Sequence, residues 1–449
     1  MKHARDLTQG SISGHMAALA APLILGNILQ QLYNAVDAWI LGRYAGDLEF
    51  AAIGIAGSVM NLFLFAIVGI CTGISVLFAQ FYGAGDMPSF RKEHLHALGF
   101  GLLCTAVFGG VGTLCLPWLL RVIRTPQELC AFVTTYLTVI LLSLPASFLY
   151  NLYGALLRSI GRANAALMAL AAAVTVNLGL DILFVARWNW GIAGAAAATA
   201  LSQALSAVVC IGYLCRVAPE LLFRREDVHL DRMLLKKTAH FSFVTGLHQS
   251  SLYIGKLLVQ GAVNTGGTDV ISAYTATTRI EGFANSFGDS GAAATSVLTA
   301  QNRGAKREDR VNRTFRVSLL TMLGMGLLSS LVLYFCSGAA SCFMLGSGEG
   351  TAYLQARQYL RTIALFYTLC FTGNTYAGYY DGIGRVSIPF FGAVSHITLR
   401  VILSWCLVGR MGLNAVAVAT GIGWVLVNLL WTVIYFRIKN RENRSQQKI

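Results

Sequence analysis

Four of the 20 acidic residues of this 449-residue chain stand inside long apolar stretches: Asp37, Asp181, Glu281 and Asp289. A carboxylate there costs roughly 2.5 to 3.5 kcal/mol on membrane-insertion scales, so it marks either a pathway or a partner. Gly26, Gln30, Tyr33 and Asp37 follow one another at steps of four, three and four, which places them on one helical face. Asn177 precedes Asp181 by one turn, and Thr199, Ser202 and Ser206 line a face of the next apolar stretch. Two carboxylates, an amide and a hydroxyl gathered between helices can take up a proton or hold Na⁺ with oxygen ligands. A plainer reading stays open: both acids wet at the membrane boundary, and Thr199 packing, since it has a repeat counterpart in Thr420.

The second half offers a different set. Glu281, Asn285 and Asp289 recur at steps of four, and Lys256 lies in the preceding apolar stretch. A Lys256 pair with Glu281 or Asp289 would neutralise buried charge, a structural role that we place ahead of a second coupling site. His94, His96, His248 and His396 can relay protons, although a hydrogen-bonded histidine is the commoner outcome. Gln30, Tyr33, Phe148, Tyr150, Tyr253, Phe283 and Phe287 supply polar and aromatic surface suited to flat or cationic ligands. No catalytic residues are expected, because H-E-x-x-H, G-x-S-x-G and G-x-x-x-x-G-K-[ST] are all missing. The ten cysteines are scattered through apolar stretches without a C-x-x-C pair, which argues against a disulfide or metal framework.

The elements that must position these residues follow from composition. Only 12% of the chain is charged and 55% is hydrophobic, against about 25% charged in a soluble protein. At about 20 apolar residues per spanning helix this suffices for about a dozen spans and leaves little for a soluble engine. Apolar stretches fall at 15–41, 51–81, 94–118, 129–150, 164–186, 192–215, 240–263, 271–300, 314–337, 357–377, 387–409 and 413–436. The expectation is an all-α polytopic membrane protein of twelve transmembrane helices. Its parts are an N-lobe over 1–216, an interlobe loop over 217–238, a C-lobe over 239–438 and a tail over 439–449. With both termini inside, 24 of the 34 Lys and Arg residues face the cytoplasm and seven face outward. That split supports a multi-pass protein of the cytoplasmic membrane, and it makes the net charge of +14 a matter of topology rather than of nucleic-acid binding.

The halves repeat each other. At an offset of 221, Ser75-Val76-Leu77 and Ala79-Gln80 meet Ser296-Val297-Leu298 and Ala300-Gln301, and Gly83-Ala84 meets Gly304-Ala305. At 223, Asn151, Tyr153, Gly161 and Arg162 meet Asn374, Tyr376, Gly384 and Arg385. Six spans per copy bring both copies into the membrane from the same side, as in parallel-repeat transporters.

Over about residues 10 to 438 the chain resembles the multidrug and toxic compound extrusion (MATE) family. The likeness rests on P-L-I-L-G-N-I-L-Q-Q-L-Y-N-A-V-D-A-W-I-L-G-R-Y-A-G from Pro22 to Gly46, A-Q-F-Y-G-A-G from Ala79, A-Q-N-R-G-A from Ala300, Asn177 to Asp181, and G-I-A-G-A-A-A-A-T from Gly191 to Thr199. The resemblance implies two pseudo-symmetric six-helix lobes and alternating access driven by inward H⁺ or Na⁺. It implies cation-coupling positions at Asp37, Asn177, Asp181 and Thr199, and a helix-bending proline at Pro22. Acids that some members carry in the seventh and tenth spans are absent here, so a Na⁺ site of that kind is not expected. The function expected is export of amphipathic, often cationic compounds by a monomer in the lipid bilayer, with no cofactor beyond the coupling ion. The alternative is a lipid-linked oligosaccharide flippase of a related fold.

Overall fold

The computed structural model describes residues 6–123 and 125–446. The loop cations Lys2, Arg5 and Arg124, and residues 447–449 of the tail, lie outside the described residues. Among those described, the regular elements are all helical: α1 (Ile12–Tyr44), α2 (Asp47–Ala84), α3 (Met87–Val122), α4 (Gln127–Leu142), α5 (Leu144–Ser159), α6 (Ala163–Asp181), α7 (Gly191–Val217), α8 (Arg232–Asn264), α9 (Thr268–Gly304), α10 (Glu308–Leu345), α11 (Thr351–Gly382), α12 (Ser387–Met411) and α13 (Asn414–Gln446). Eight are long and apolar enough to cross a membrane, and α4 with α5 makes a ninth span bent by 46°. The other three, α8, α9 and α11, have 33, 37 and 32 residues, each more than the ~20 needed to cross, and carry more polar groups.

The fourth apolar stretch departs from the expected single span over 129–150. It breaks at Ser143, and its second arm continues to Ser159. Pro145 has no N–H to offer and its ring crowds the carbonyl four residues back, while the Ser143 hydroxyl donates to the Ile140 carbonyl at 2.8 Å. At α6 the helix instead widens: Asp181 is its last residue, and a π-turn over Ile182–Arg187 follows.

Two compact units divide the chain, one of Met1–Ser250 with Ala300–Glu308, the other of Ser251–Thr299 with Asp309–Ile449. In the first, apolar side chains of α1 to α7 form one core; Phe148, fully buried, packs where Gly101 leaves room. The duplicated A-Q-x-x-G motif has a steric reason there. A Cβ at Gly83 would overlap the Gln301 carbonyl, and one at Gly304 would overlap the Gln80 carbonyl, so each glycine lets the other copy's backbone close in. Gln301 also uses its side chain, accepting from the Leu7 N–H at 3.3 Å and donating to the Ser159 carbonyl. In the second unit a cluster of Phe315, Tyr376, Tyr379, Tyr380, Trp431 and Tyr435 joins α10, α11 and α13.

The charged segment before α8 and the first turns of α8 are fastened to the start of α3. Arg91 donates to Asp227 at 2.9 Å, Thr238 to Glu93 at 2.8 Å, and the Asp231 N–H to His96 Nε2 at 3.1 Å. His94 donates to the Leu221 carbonyl at 3.3 Å and accepts from Tyr153 at 3.2 Å. Both histidines are thereby satisfied hydrogen-bonding groups. Burial pushes the Asp227 carboxyl up, but the Arg224 N–H and the Arg91 guanidinium outweigh it and hold the group below the ordinary carboxylate range. The sign follows: this contribution is present above about pH 4, the unfolded value, and is lost as the pH falls through the lowered native one. Asp227→Asn should therefore raise the rate of proteolytic nicking within residues 216–231 at neutral pH, by about tenfold for a charged hydrogen bond. Cleavage of the variant at the wild-type rate would show that the contact holds nothing.

Candidate functional site

The acids of the first unit meet on three helices. Asp37 and Tyr33 come from α1, Asn177 and Asp181 from the last turn of α6, and Thr199 from the third turn of α7. α1 packs on α6 and α6 on α7. Thr199 and Tyr33 share a hydrogen bond of 3.2 Å between hydroxyls, which ties α7 to α1. Asn177 and Asp181 are each 1% exposed. The Asp37 and Asp181 carboxyls come within hydrogen-bonding reach of each other, yet Asp37 Oδ1, both Asp181 oxygens and both amide atoms of Asn177 are buried without a partner. The two observations agree once protons are counted, because two carboxylates are both acceptors and bond only when one holds a proton.

Among the described residues no lysine or arginine charge acts on either acid. Two like charges at about 4 Å repel by about 4 kcal/mol at an effective dielectric of about 20. Among the described residues nothing positive is placed to relieve that repulsion. The oxygens and the amide of this cluster suit H⁺, or Na⁺ bound through oxygen.

Sequence reasoning overlooked two supporting residues. Tyr136 of α4 stands close enough to exchange charge interactions with Asp37, Tyr33 and Asp181, and its hydroxyl donates to Met60 Sδ at 3.6 Å. Glu49 of α2 accepts from the Ile192 N–H at the start of α7, setting a negative charge against that helix N-terminus. Gly191, with φ of 55°, makes the turn there, and a Cβ on it would strike Glu49. Ser202, expected on the polar face with Thr199, instead donates to the Thr199 carbonyl at 2.9 Å. Pro22 lies inside α1 without ending it.

The second unit gathers its own charges. Tyr359 donates to Glu281 at 2.9 Å, and Tyr367 donates to Asn285 at 2.8 Å. Among the cations acting on Glu281, Arg400 of α12 comes first and Lys256 of α8 second, and Lys256 also acts on Asp289. Arg400, left unassigned by sequence reasoning, is therefore part of the same cluster. A lone arginine within a span was the available signal. Of the proposed substrate-facing residues, Gln30, Tyr33, Tyr150, Tyr253 and Phe287 are half-buried and Phe283 is exposed, whereas Phe148 belongs to the core. His396 stacks on Trp424, with ring centroids 6.3 Å apart.

With this geometry in view, comparison with known proteins is informative. The MatE family model matches residues 22–183 and again 245–406, two copies 223 residues apart. The chain belongs to the MatE family. The probable multidrug resistance protein YpnP of Bacillus subtilis is similar to it, 25% identical over 81% of each chain. An outward-facing multidrug resistance MATE family transporter of the MOP superfamily shares the fold, with a TM-score of 0.90 at 20% identity over 97% of this chain and 98% of that one. So does a MOP superfamily transporter of Pyrococcus furiosus described by a reversed polarity of its binding pocket, with a TM-score of 0.88 at 20% identity over 97% of both chains. The all-α, twelve-helix transporter fold is thereby established, and the family is one of transporters rather than enzymes. The flippase alternative is not favoured.

The charge cluster of the second unit generates a stability prediction. Arg400→Gln should destabilise the protein by about 1 kcal/mol, because Glu281 loses the first of the two cations that act on it. Arg400→Gln with Glu281→Gln should recover most of the loss. Thermal unfolding in detergent measures both, and simple additivity of the two changes would refute the pairing.

Proposed function

We propose that this MATE transporter is a cation-coupled antiporter that exports amphipathic, often cationic organic compounds by alternating access, with H⁺ or Na⁺ as the coupling ion. The observation that carries the proposal is the Asp37–Asp181 pair, Asp181 buried beside Asn177, with carboxyl oxygens that among the described residues have no partner and no cation acting on them. An ion entering this cluster removes the repulsion between α1 and α6 and lets Asp37, Tyr33, Asn177, Asp181 and Thr199 draw together. Loss of the ion restores the repulsion and loosens α1.

Transport follows if one membrane orientation of the protein favours the ion and the other favours the organic substrate. Each then displaces the other by its differential affinity for the two states, and no further energy source is required. Pro22, inside α1, removes one hydrogen bond from the helix that carries Asp37, so α1 is the element best suited to change shape. The protein acts in the cytoplasmic membrane with both termini in the cytoplasm, a reading supported by the 24 to seven distribution of its basic residues. It needs no cofactor, and the monomer suffices, since the site lies within one chain.

Asp37→Asn should leave expression intact and reduce export of a fluorescent organic cation to background. Asp181→Asn should do the same, and the double variant should be no worse than either. Export at the wild-type rate in Asp37→Asn would remove the pair from the mechanism. Collapsing the H⁺ and Na⁺ gradients separately in loaded vesicles identifies the ion, and transport indifferent to both would reject coupling.

A further inference from the structure

The second unit carries a basic cleft remote in sequence from the acid clusters. Ile434, Arg437, Ile438 and Arg441 follow at i, i+3, i+4 and i+7 along α13 and form one stripe. With Arg385, from the turn between α11 and α12, they line a cavity of about 180 Å³. Its walls are fixed. Ile438 is buried and Ile434 packed against the Phe315–Tyr379–Tyr435 cluster. The turn is closed by the Gly384 N–H on the Asp381 carbonyl at 2.9 Å and the Arg385 N–H on the Tyr380 carbonyl at 2.8 Å, with Gly384 at φ of 81°.

Two of the three cleft charges, Arg385 and Arg437, are not spent in ion pairs among the described residues. All three arginines are exposed. Among the described residues no arginine charge acts on Asp381, the acid of the turn. Lys439 is engaged elsewhere, 5.7 Å from the centre of the Tyr435 ring. Topology alone requires basic residues near a membrane face, but it does not require three of them to converge on one cavity with two isoleucine walls.

We propose that this cleft binds an anionic glycerophospholipid, the Arg385 and Arg437 guanidinium groups holding the phosphate and Ile434 and Ile438 lying against the first carbons of an acyl chain. Two features select a lipid over a soluble anion. The apolar stretch of α13 ends near residue 436, so the stripe straddles the depth at which phosphates sit above acyl chains. A soluble phosphate would also gain nothing from the isoleucines.

The test is native mass spectrometry of the full chain in detergent with phosphatidylglycerol, phosphatidylcholine or inorganic phosphate. The wild type should retain phosphatidylglycerol in preference to phosphatidylcholine, and millimolar phosphate should not displace it. At about fivefold per arginine, Arg385→Gln with Arg437→Gln should weaken retention by at least about tenfold. Arg313→Gln with Arg316→Gln, which removes the same charge from exposed positions on α10, should change it less than about twofold. If the double cleft variant fails to fold, Arg437→Gln alone should show the fivefold loss. Retention unchanged in the cleft variants, equal retention of both lipids, or displacement by phosphate would each overturn the proposal.

Discussion

An ionised carboxylate withdrawn from water costs several kcal/mol unless a proton or a cation meets it, and each unit of this chain places two carboxyls within its long helices, of which Asp181 is fully buried. The units meet this constraint differently. In the second, Arg400 and Lys256 act on Glu281, Lys256 acts on Asp289, and Tyr359 adds a hydrogen bond. In the first, Asp37 and Asp181 face each other with no cation among the described residues acting on them. A cluster that carries its own counter-charges is complete as it stands. A pair without one is complete only with something taken from outside, which is why the proposed coupling role falls to the first unit.

Such a pair is useful only if the frame around it is stiffer than the pair itself. Asp181 sits where α6 gives way to a π-turn, a local widening that recurs at functional sites. The α7 helix is held at its start by Glu49 and within the site by the Tyr33–Thr199 bond. Phe184, Trp188 and Trp190 stack with centroids 5.0 to 5.2 Å apart and brace the segment from the π-turn to α7. Against this bracing α1 is the exception: it brings Asp37 on a long helix interrupted by Pro22. Repulsion at the pair therefore acts on the element least able to resist it.

Much of this could be read from residue types and spacing, and the remainder could not for definite reasons. Apolar stretches give spans because the bilayer fixes their length, and buried acids stand out because they are costly. The step from Asn177 to Asp181 predicts one shared face, and both residues are buried in α6. What escaped depends on distance between helices rather than along them. Arg400 lies over a hundred residues from Glu281, and nothing in its own neighbourhood identifies its partner. Glu49 looks like an ordinary polar residue at the start of α2 until the start of α7 is brought to it. Phe148 and Tyr150 are equivalent in composition, but only the packing against Gly101 reveals that the first is core. The break at Ser143 was within reach through Pro145, but a window of mean hydropathy passes over a single proline.

The duplication sharpens the contrast between the units. What the two copies share is backbone geometry. Gly191 and Gly412 both take positive φ before α7 and α13, and each helix start is held by a side chain from another helix, Glu49 in one case and Gln355 in the other, which accepts from the Leu413 N–H at 2.7 Å. The A-Q-x-x-G motif is kept because a side chain at either Gly83 or Gly304 would collide with a carbonyl. Charge is not shared in this way: Asp37 has no acidic counterpart in the repeat, and Arg158 falls on Asp381 at the offset of 223. Steric constraints bind both copies equally, since each must pack. Electrostatic ones do not, because a single unneutralised pair suffices to couple one ion to one cycle, and a second would add the same desolvation cost again. Duplicated form with unduplicated charge is the pattern expected if one unit binds the ion and the other needs only to remain electrically complete.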